Sequence, residues 1–247
     1  MARLFDDAQN EYLMYNGSVL NNEPITMACW FYTNDAGADQ MLMSIADTSN
    51  LEYFGLAAMG DELDDYIIAR SYDGDFGTAQ TTTQFSVDTW HHACGIFASD
   101  TDRRVYLDGG GKGTNVEDFS PDNLDNTTIG GLLFFNNFYW PMSGRIAEAA
   151  IWNVALTDDE VASLAEGYSP LFIKPENLVA YWPLVRDTDN DVVGGYNMTA
   201  VNTPSIMRHP PQIMGRAVVS IGAPTAIVPP PVAGYGYMTP MARYWGT

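Results

Sequence analysis

Hydrolysis of a glycosidic bond needs two carboxylates flanking it, one as acid and one as nucleophile or base. The densest acidic run here is Asp61-Glu62-Leu63-Asp64-Asp65. It lacks the Glu-x-Asp-x-Glu alternation that would put the carboxylates on one face of a strand, and it reads as a solvated turn. His91-His92 offers imidazole for a metal or a general base, but neighbouring strand residues point to opposite faces, so the two cannot serve one site. No Ser/His/Asp grouping stands at a recognisable motif, no Gly-rich phosphate loop occurs, and no catalytic residue is assigned.

Calcium loops place oxygen ligands at alternate positions. Asp187, Asp189 and Asp191 are so spaced, as are Asp73 and Asp75. Val192 stands where a helix-flanked calcium loop has glycine, and Met198 where it has a bidentate glutamate. An acidic hairpin loop is therefore the first reading of 187–191, with calcium as the alternative and no other cofactor indicated. A sugar site needs an aromatic platform with polar groups beside it. The segment Phe134-Phe135-Asn136-Asn137-Phe138-Tyr139-Trp140 is the densest such run. Phe134, Phe135, Phe138, Tyr139 and Trp140, with Tyr72, are the candidate ligand-binding or subunit-contact residues. The excess of apolar rings over polar groups places capping or subunit contact ahead of sugar binding.

The elements that must position these groups are strands. Turn pairs (Asn-Gly, Asp-Gly, Gly-Gly) recur between short β-branched or aromatic runs, which favours an all-β sandwich. Strands are expected at residues 25–33, 66–71, 90–98, 104–107, 127–129, 145–153 and 178–184. Along 25–33 both alternating sets, Ile25/Met27/Cys29/Phe31 and Thr26/Ala28/Trp30/Tyr32, are largely apolar, so that strand is expected to be covered on both faces. Thr157-Asp158-Asp159-Glu160 supplies a capping box and Gly167 a C-terminal stop, predicting one short surface helix over about 157–166.

The chain has 247 residues, 46% of them hydrophobic, enough for one sizeable core. No apolar run reaches the roughly 18–20 residues of a membrane helix, and the first residues carry no apolar signal-peptide core, so cytoplasmic assembly is expected. A net charge of −20 argues against nucleic acid as a partner. All 31 acids precede Pro204, whereas Arg208, Arg216 and Arg243 follow it. Residues 205–247 also hold seven prolines, including Pro229-Pro230-Pro231. They are expected to form an extended, basic arm on a sandwich spanning 1–204.

Several stretches resemble laminin-G/pentraxin-like jelly-roll domains of the concanavalin A-like lectin/glucanase superfamily. Leu4-Phe5-Asp6-Asp7, Tyr12-Leu13 and Ile25-Thr26-Met27-Ala28-Cys29-Trp30-Phe31 are similar to their opening strands. Trp90-His91-His92 and Val105-Tyr106-Leu107-Asp108-Gly109 resemble their "W-H-H" strand and following hairpin. Ile129-Gly130-Gly131, Gly144-Arg145-Ile146-Ala147-Glu148 and Leu178-Val179-Ala180-Tyr181-Trp182 resemble the closing strands. The resemblance implies a two-sheet antiparallel jelly-roll β-sandwich with Trp30, Trp90, Trp152 and Trp182 in its core. Cys29 and Cys94 stand where pentraxins have a disulfide pair, so they are expected to face each other, bridged or as thiols.

His209-Pro210-Pro211 resembles the extension on such sandwiches in bacteriophage structural proteins. The first functional expectation is accordingly a non-enzymatic virion protein, a capsid decoration or cement component. Its arm (Arg208, His209, Arg216, Arg243, Tyr244, Trp245) would contact the major capsid protein and copies of itself, as a trimer on the capsid surface. The alternative is a carbohydrate-binding, lectin-like module, with or without calcium. A glycoside hydrolase comes third, for want of the carboxylates. Neither reading involves a membrane.

Overall fold

The computed structural model describes residues 2–61, 63–185 and 189–210. In chain order the strands begin with β1 (Ala2–Phe5), β2 (Tyr12–Tyr15), β3 (Ile25–Thr33), β4 (Asp39–Ala46), β5 (Glu52–Met59) and β6 (Tyr66–Asp73). They continue with β7 (Phe76–Gln80), β8 (Trp90–Ser99), β9 (Asp102–Leu107), β10 (Gly110–Asn115), β11 (Asn126–Ile129) and β12 (Leu132–Phe134). After β13 (Asn137–Tyr139) and β14 (Gly144–Trp152) comes the helix α1 (Asp158–Ala165), followed by β15 (Leu178–Trp182), β16 (Thr199–Val201) and β17 (Ser205–Met207). Every strand expected from the sequence is present.

Two antiparallel sheets result. The first runs β10-β9-β8-β3-β14-β1-β17, with β15 also paired to β14. The second runs β16-β2-β11-β4-β5-β6-β7. The sheets close on each other beside β7 and β10, where the Thr82 amide bonds the Gly111 carbonyl at 2.8 Å. Gly113 permits that approach, since a Cβ there would stand 1.7 Å from the Gln80 carbonyl oxygen.

Alternation in β3 sends Met27, Cys29 and Phe31 into the core between the sheets, beside Phe97 of β8 and with Phe54 and Leu56 of β5 opposite. The other face of β3 is also covered, as expected: Ala28 joins Cys94, Trp152, Val161 and Leu164 in a second cluster beneath α1. That helix carries the full capping box, Thr157 accepting from the Glu160 amide and Glu160 from the Thr157 amide. A third cluster (Met41, Tyr53, Ala57, Met59, Ile68, Leu132) lies on the outer face of the second sheet, under the β12–β13 hairpin. Both sheets therefore have a covered outer face as well as a shared core.

Two expectations are corrected by the packing. Trp152 and Trp182 are fully buried, their indole N–H groups bonded to the carbonyls of Ile173 and Tyr196. Trp30 and Trp90 are only half-buried, on the outer side of the first sheet. Cys29 and Cys94 do not face each other. The β3–β8 register pairs Cys29 with Ala93 and Ala28 with Cys94, so the thiols lie on opposite faces of the sheet and both are free. Burial pushes both thiols well up in pKa.

Arg103 is fully buried inside the sandwich. Its guanidinium donates to the Ser71 hydroxyl (2.6 Å), the Asn115 amide oxygen (3.0 Å) and the carbonyls of Asp100, Glu117 and Phe119 (2.6, 2.6 and 2.9 Å). Five bonds from one fork pin the loop after β10 to β6 and β9.

Candidate functional site

The outer face of the second sheet carries an aromatic groove of about 280 Å³. Its floor follows from strand register. Tyr53 pairs with Tyr72 across β5–β6, and Tyr72 with Phe76 across β6–β7, so three rings share one row on one face. The Tyr53 and Tyr72 rings stack with centroids 5.4 Å apart and planes 2° from parallel. The next row is Gly55, Arg70 and Thr78. Arg70 donates from Nε to the Thr78 hydroxyl at 3.0 Å. Its guanidinium carbon lies 4.7 Å from the Phe76 ring centre and 5.3 Å from that of Trp140, distances at which a cation is attracted to a ring face.

The β12–β13 hairpin makes the roof. Phe135 and Asn136 turn it with φ of 48° and 56°, the two positive values of a type I′ turn. Alternation then directs Leu132, Phe134 and Tyr139 to the groove. Phe134 stands edge-on to Tyr53 at 5.1 Å and to Tyr72 at 5.5 Å. The turn is latched to the loop after β4, the Asn136 amide bonding the Thr48 carbonyl at 2.7 Å. At the other end the Met41 amide bonds the Trp140 carbonyl at 2.8 Å. The latching loop is itself rigid: Asp47 accepts the amides of Ser49 and Asn50 at 2.6 and 2.9 Å. Burial alone would raise the Asp47 carboxyl, but these bonds and those from the two side chains hold it below its ordinary value.

The groove thus has a fixed floor and an open rim. Tyr53 is 3% exposed, whereas Phe76 and Tyr139 are 49% and 41% exposed. Among the described residues, Arg70 is the one charged side chain in the lining.

Four sequence candidates, Tyr72, Phe134, Tyr139 and Trp140, come together here. Phe138 faces the other way, stacked on Tyr12 at 4.4 Å, and Phe135 sits exposed at the turn tip. The sequence reading missed Tyr53, Arg70, Phe76 and Leu132. The signal for three of them was period-2 spacing of rings and arginine in β5–β7.

The acidic candidates are differently placed. Asp189 forms a two-point pair with Arg3, at 2.6 and 2.5 Å, in a buried setting. Asp191 accepts four backbone amides, those of Tyr181, Val193, Gly194 and Tyr196. These carboxylates organise the 189–196 loop with protein donors. Asp73 ends β6 and Asp75 lies in the β6–β7 turn, accepting the Phe76 amide at 2.9 Å. Asp187 lies outside the described residues. Asp61, Asp64 and Asp65 lie in the β5–β6 turn, as read from the sequence, and Glu62 lies outside the described residues.

His91 and His92 point to opposite faces, also as expected. His91 shares Nδ1 with Asp108 at 2.7 Å, and its Nε2 lies 3.2 Å from the Ser86 hydroxyl. This Ser86–His91–Asp108 chain has triad-like order, which the sequence did not announce. The Ser86 amide, however, also donates to Nε2 at 3.1 Å, so the imidazole lone pair is already engaged. The chain fastens β8 to the loop before it and to the β9–β10 turn. Burial would raise the Asp108 carboxyl, but bonds from His91 and the His92 amide hold it down. His92 is buried, and desolvation lowers its pKa to about 4.

Of the expected arm residues, Ser205 to Met207 are the edge strand β17 on β1. Arg208 is exposed. His209 reaches the buried Glu148 at 2.8 Å, and Glu148 also accepts the Tyr181 hydroxyl. Arg216, Arg243, Tyr244 and Trp245 lie outside the described residues.

Comparison with known proteins adds a family. A model described as the concanavalin A-like lectin/glucanases superfamily matches residues 7–162. A candidate carbohydrate-binding protein from Bacteroides ovatus ATCC 8483 superposes with a TM-score of 0.61 at 20% identity over 83% of this chain. The match spans 58% of that protein's length. The heptameric SAP-like pentraxin of Limulus polyphemus gives 0.54 at 16% identity, covering 68% of this chain and 83% of that one. The CBM40 of the Ruminococcus gnavus IT-sialidase, solved with α2,3-sialyllactose, gives 0.51 at 14% identity, covering 59% and 84%. At these identities the structures attest the fold. No curated protein matches the chain by sequence.

Proposed function

Because the chain belongs to the concanavalin A-like lectin/glucanases superfamily, we propose that it is a non-catalytic glycan-binding module whose sugar site is the groove between β5–β7 and the β12–β13 hairpin. The observation that carries this reading is the pair of half-exposed rings, Phe76 and Tyr139, over a pre-formed floor. A sugar presents an apolar C–H face and a rim of hydroxyls. Rings take the face, and a few fixed polar groups take the rim. The hydroxyls of Tyr53, Tyr72 and Tyr139 and the Arg70 guanidinium belong to the same lining. Two of the similar structures, the Bacteroides protein and the sialidase module, are themselves described in terms of carbohydrate. Hydrolysis would need two carboxylates across the bound sugar, and none stands among the described lining residues.

The expectation of a virion shell protein rests largely on the arm beyond Pro210, outside the described residues. None of the three similar structures above is described as a shell protein. The groove and the carbohydrate-binding relatives support the glycan reading.

The test is a glycan array probed with the wild-type chain and with a Phe76→Ala/Tyr139→Ala double variant. Binding that the double variant loses supports the proposal. A wild-type chain silent across the array, or binding untouched by the double variant, removes the groove as the site.

A further inference from the structure

We infer that the chain carries a second ligand site, on the outer face of the first sheet, where Arg145, Trp90 and Trp30 take a sugar bearing a single oxyanion. The site is separate from the groove, and the inference does not rest on it.

Strand register builds this surface. Arg145 on β14 pairs with Tyr32 on β3, and Tyr32 with Trp90 on β8, so one row crosses three strands on one face. The neighbouring row on that face is Ala147, Trp30 and His92. The apolar cluster beneath α1 takes the same face farther along, at Cys94, Tyr106 and Trp152. Trp30, Tyr32 and Trp90 lie outside that cluster and stay half-buried. Tyr32 and Trp90 meet edge to face with ring centres 5.8 Å apart, and Ala147 adds only a methyl beside Trp30.

The charge marks the site. The Arg145 guanidinium lies over Tyr32, its central carbon 4.3 Å from the ring centre. Its Nε is buried with no acceptor, and among the described residues no carboxylate or carbonyl accepts from its other nitrogens. Other cations of the chain are matched: Arg3 with Asp189, Arg104 with Asp102, Lys112 with Asp158 and Lys174 with Glu160. In a chain with 31 acids, a half-buried arginine without one is an exception, and a buried donor without an acceptor is costly. Asp88 stands at the same ring, but it accepts the Tyr32 hydroxyl at 3.1 Å and forms no ion pair with Arg145. Stacking holds the planar fork in advance, so little entropy is lost when an oxyanion pairs with it.

An oxyanion supplies the missing acceptor, and the indoles of Trp90 and Trp30 take the apolar face of the ring that carries it. One anionic group suits this surface better than many. A single oxyanion feels the guanidinium within the roughly 10 Å over which salt screens, whereas a polyanion would extend onto the surrounding acids. Such a group comes from two sources, the carboxylate of a uronic acid and a sulfate ester, and the experiment separates them.

Calorimetric titration would use the full chain carrying Phe76→Ala and Tyr139→Ala, which takes the groove out of the measurement. One arm compares a disaccharide capped by glucuronic acid with its methyl ester, which removes only the charge. The other compares a monosulfated lactose with lactose. In one arm or both, the charged form should bind about tenfold more tightly than the neutral one. Arg145→Gln in the same background should bring that ratio to about one, and Trp90→Leu should weaken the charged form about fivefold. Arg145→Lys, which keeps the charge and loses the stacked fork, should retain part of the preference.

Equal affinity for charged and neutral forms in both arms, no measurable binding of either charged probe, or a preference that Arg145→Gln leaves intact would overturn the inference. Should the Arg145→Gln chain fail to fold, Trp90→Leu decides, and charged-form binding that it leaves unchanged overturns the site. With the groove removed from the titrated chain, failure here leaves the groove reading untouched.

Discussion

Replacing Tyr139 with alanine separates a binding ring from a structural one. Tyr139 is 41% exposed, and its nearest ring partner is Phe134 at 6.1 Å. A tyrosine presents on the order of 200 Å², so about 80 Å² awaits a ligand. At ~25 cal/mol per Å², full cover of that area contributes about 2 kcal/mol and half cover about 1 kcal/mol. Tyr139→Ala should therefore weaken sugar binding roughly 5- to 30-fold. The same exposure limits the effect on folding to about 1 kcal/mol, a Tm change within ~4 °C. Tyr53 is the control. It is 3% exposed and lies between Tyr72 and Phe134. Tyr53→Ala should cost about 3–5 kcal/mol of stability and lower Tm by ~10 °C. Calorimetric titration with the best array glycan, paired with a thermal scan of each variant, reads both quantities. A Tyr139→Ala chain that binds within twofold of wild type at unchanged Tm refutes the reasoning.

Other expectations follow from the buried polar groups. Intact mass without reductant should equal that of two free thiols, and a maleimide should label Cys29 and Cys94 only after unfolding; a mass two units lower contradicts the register that separates them. His92 has a folded pKa of about 4 against an ordinary value near 6.5. Between those values the unfolded chain holds a proton that the folded chain refuses. Stability should thus fall by up to about 3 kcal/mol as pH drops from 6.5 to 4. Denaturant midpoints across that range should lose most of this slope in His92→Leu, and an unchanged slope would assign the effect elsewhere. Arg103→Met takes the guanidinium donors from three backbone carbonyls, of which Asp100 alone keeps another, the Phe119 amide, among the described residues. It should cost about 3–5 kcal/mol, seen as a Tm drop of ~10 °C, whereas a drop under 3 °C would show that water replaces the fork.

Much of the fold was legible because its signals are local. The double apolar alternation of Ile25 to Phe31 marked a strand covered on both faces, and Thr157 with Glu160 marked where α1 begins. Register was not legible. A slip of one residue flips a side chain to the other face, which is why Cys29 and Cys94 look like partners in sequence and part company in the sheet. The groove was half legible for the same reason. The ring-rich hairpin is contiguous and was found, including Phe134, Tyr139 and Trp140. Its floor comes from Tyr53, Arg70 and Phe76, which only the pairing of β5, β6 and β7 brings under the hairpin. Phe138 belongs to the same run, yet alternation turns it away, onto Tyr12. Asp191 resembles a calcium ligand in spacing, but what its carboxylate meets is four backbone amides, and those are set by the loop's conformation.

The central claim is that sugar binds on the rings of the groove. A crystal of the full chain soaked with the tightest oligosaccharide from the array tests it most directly. The account predicts a sugar ring lying against Tyr139 and Tyr72, beneath Trp140 and within reach of Arg70. Density for the sugar anywhere else, with the groove holding only solvent, would contradict it.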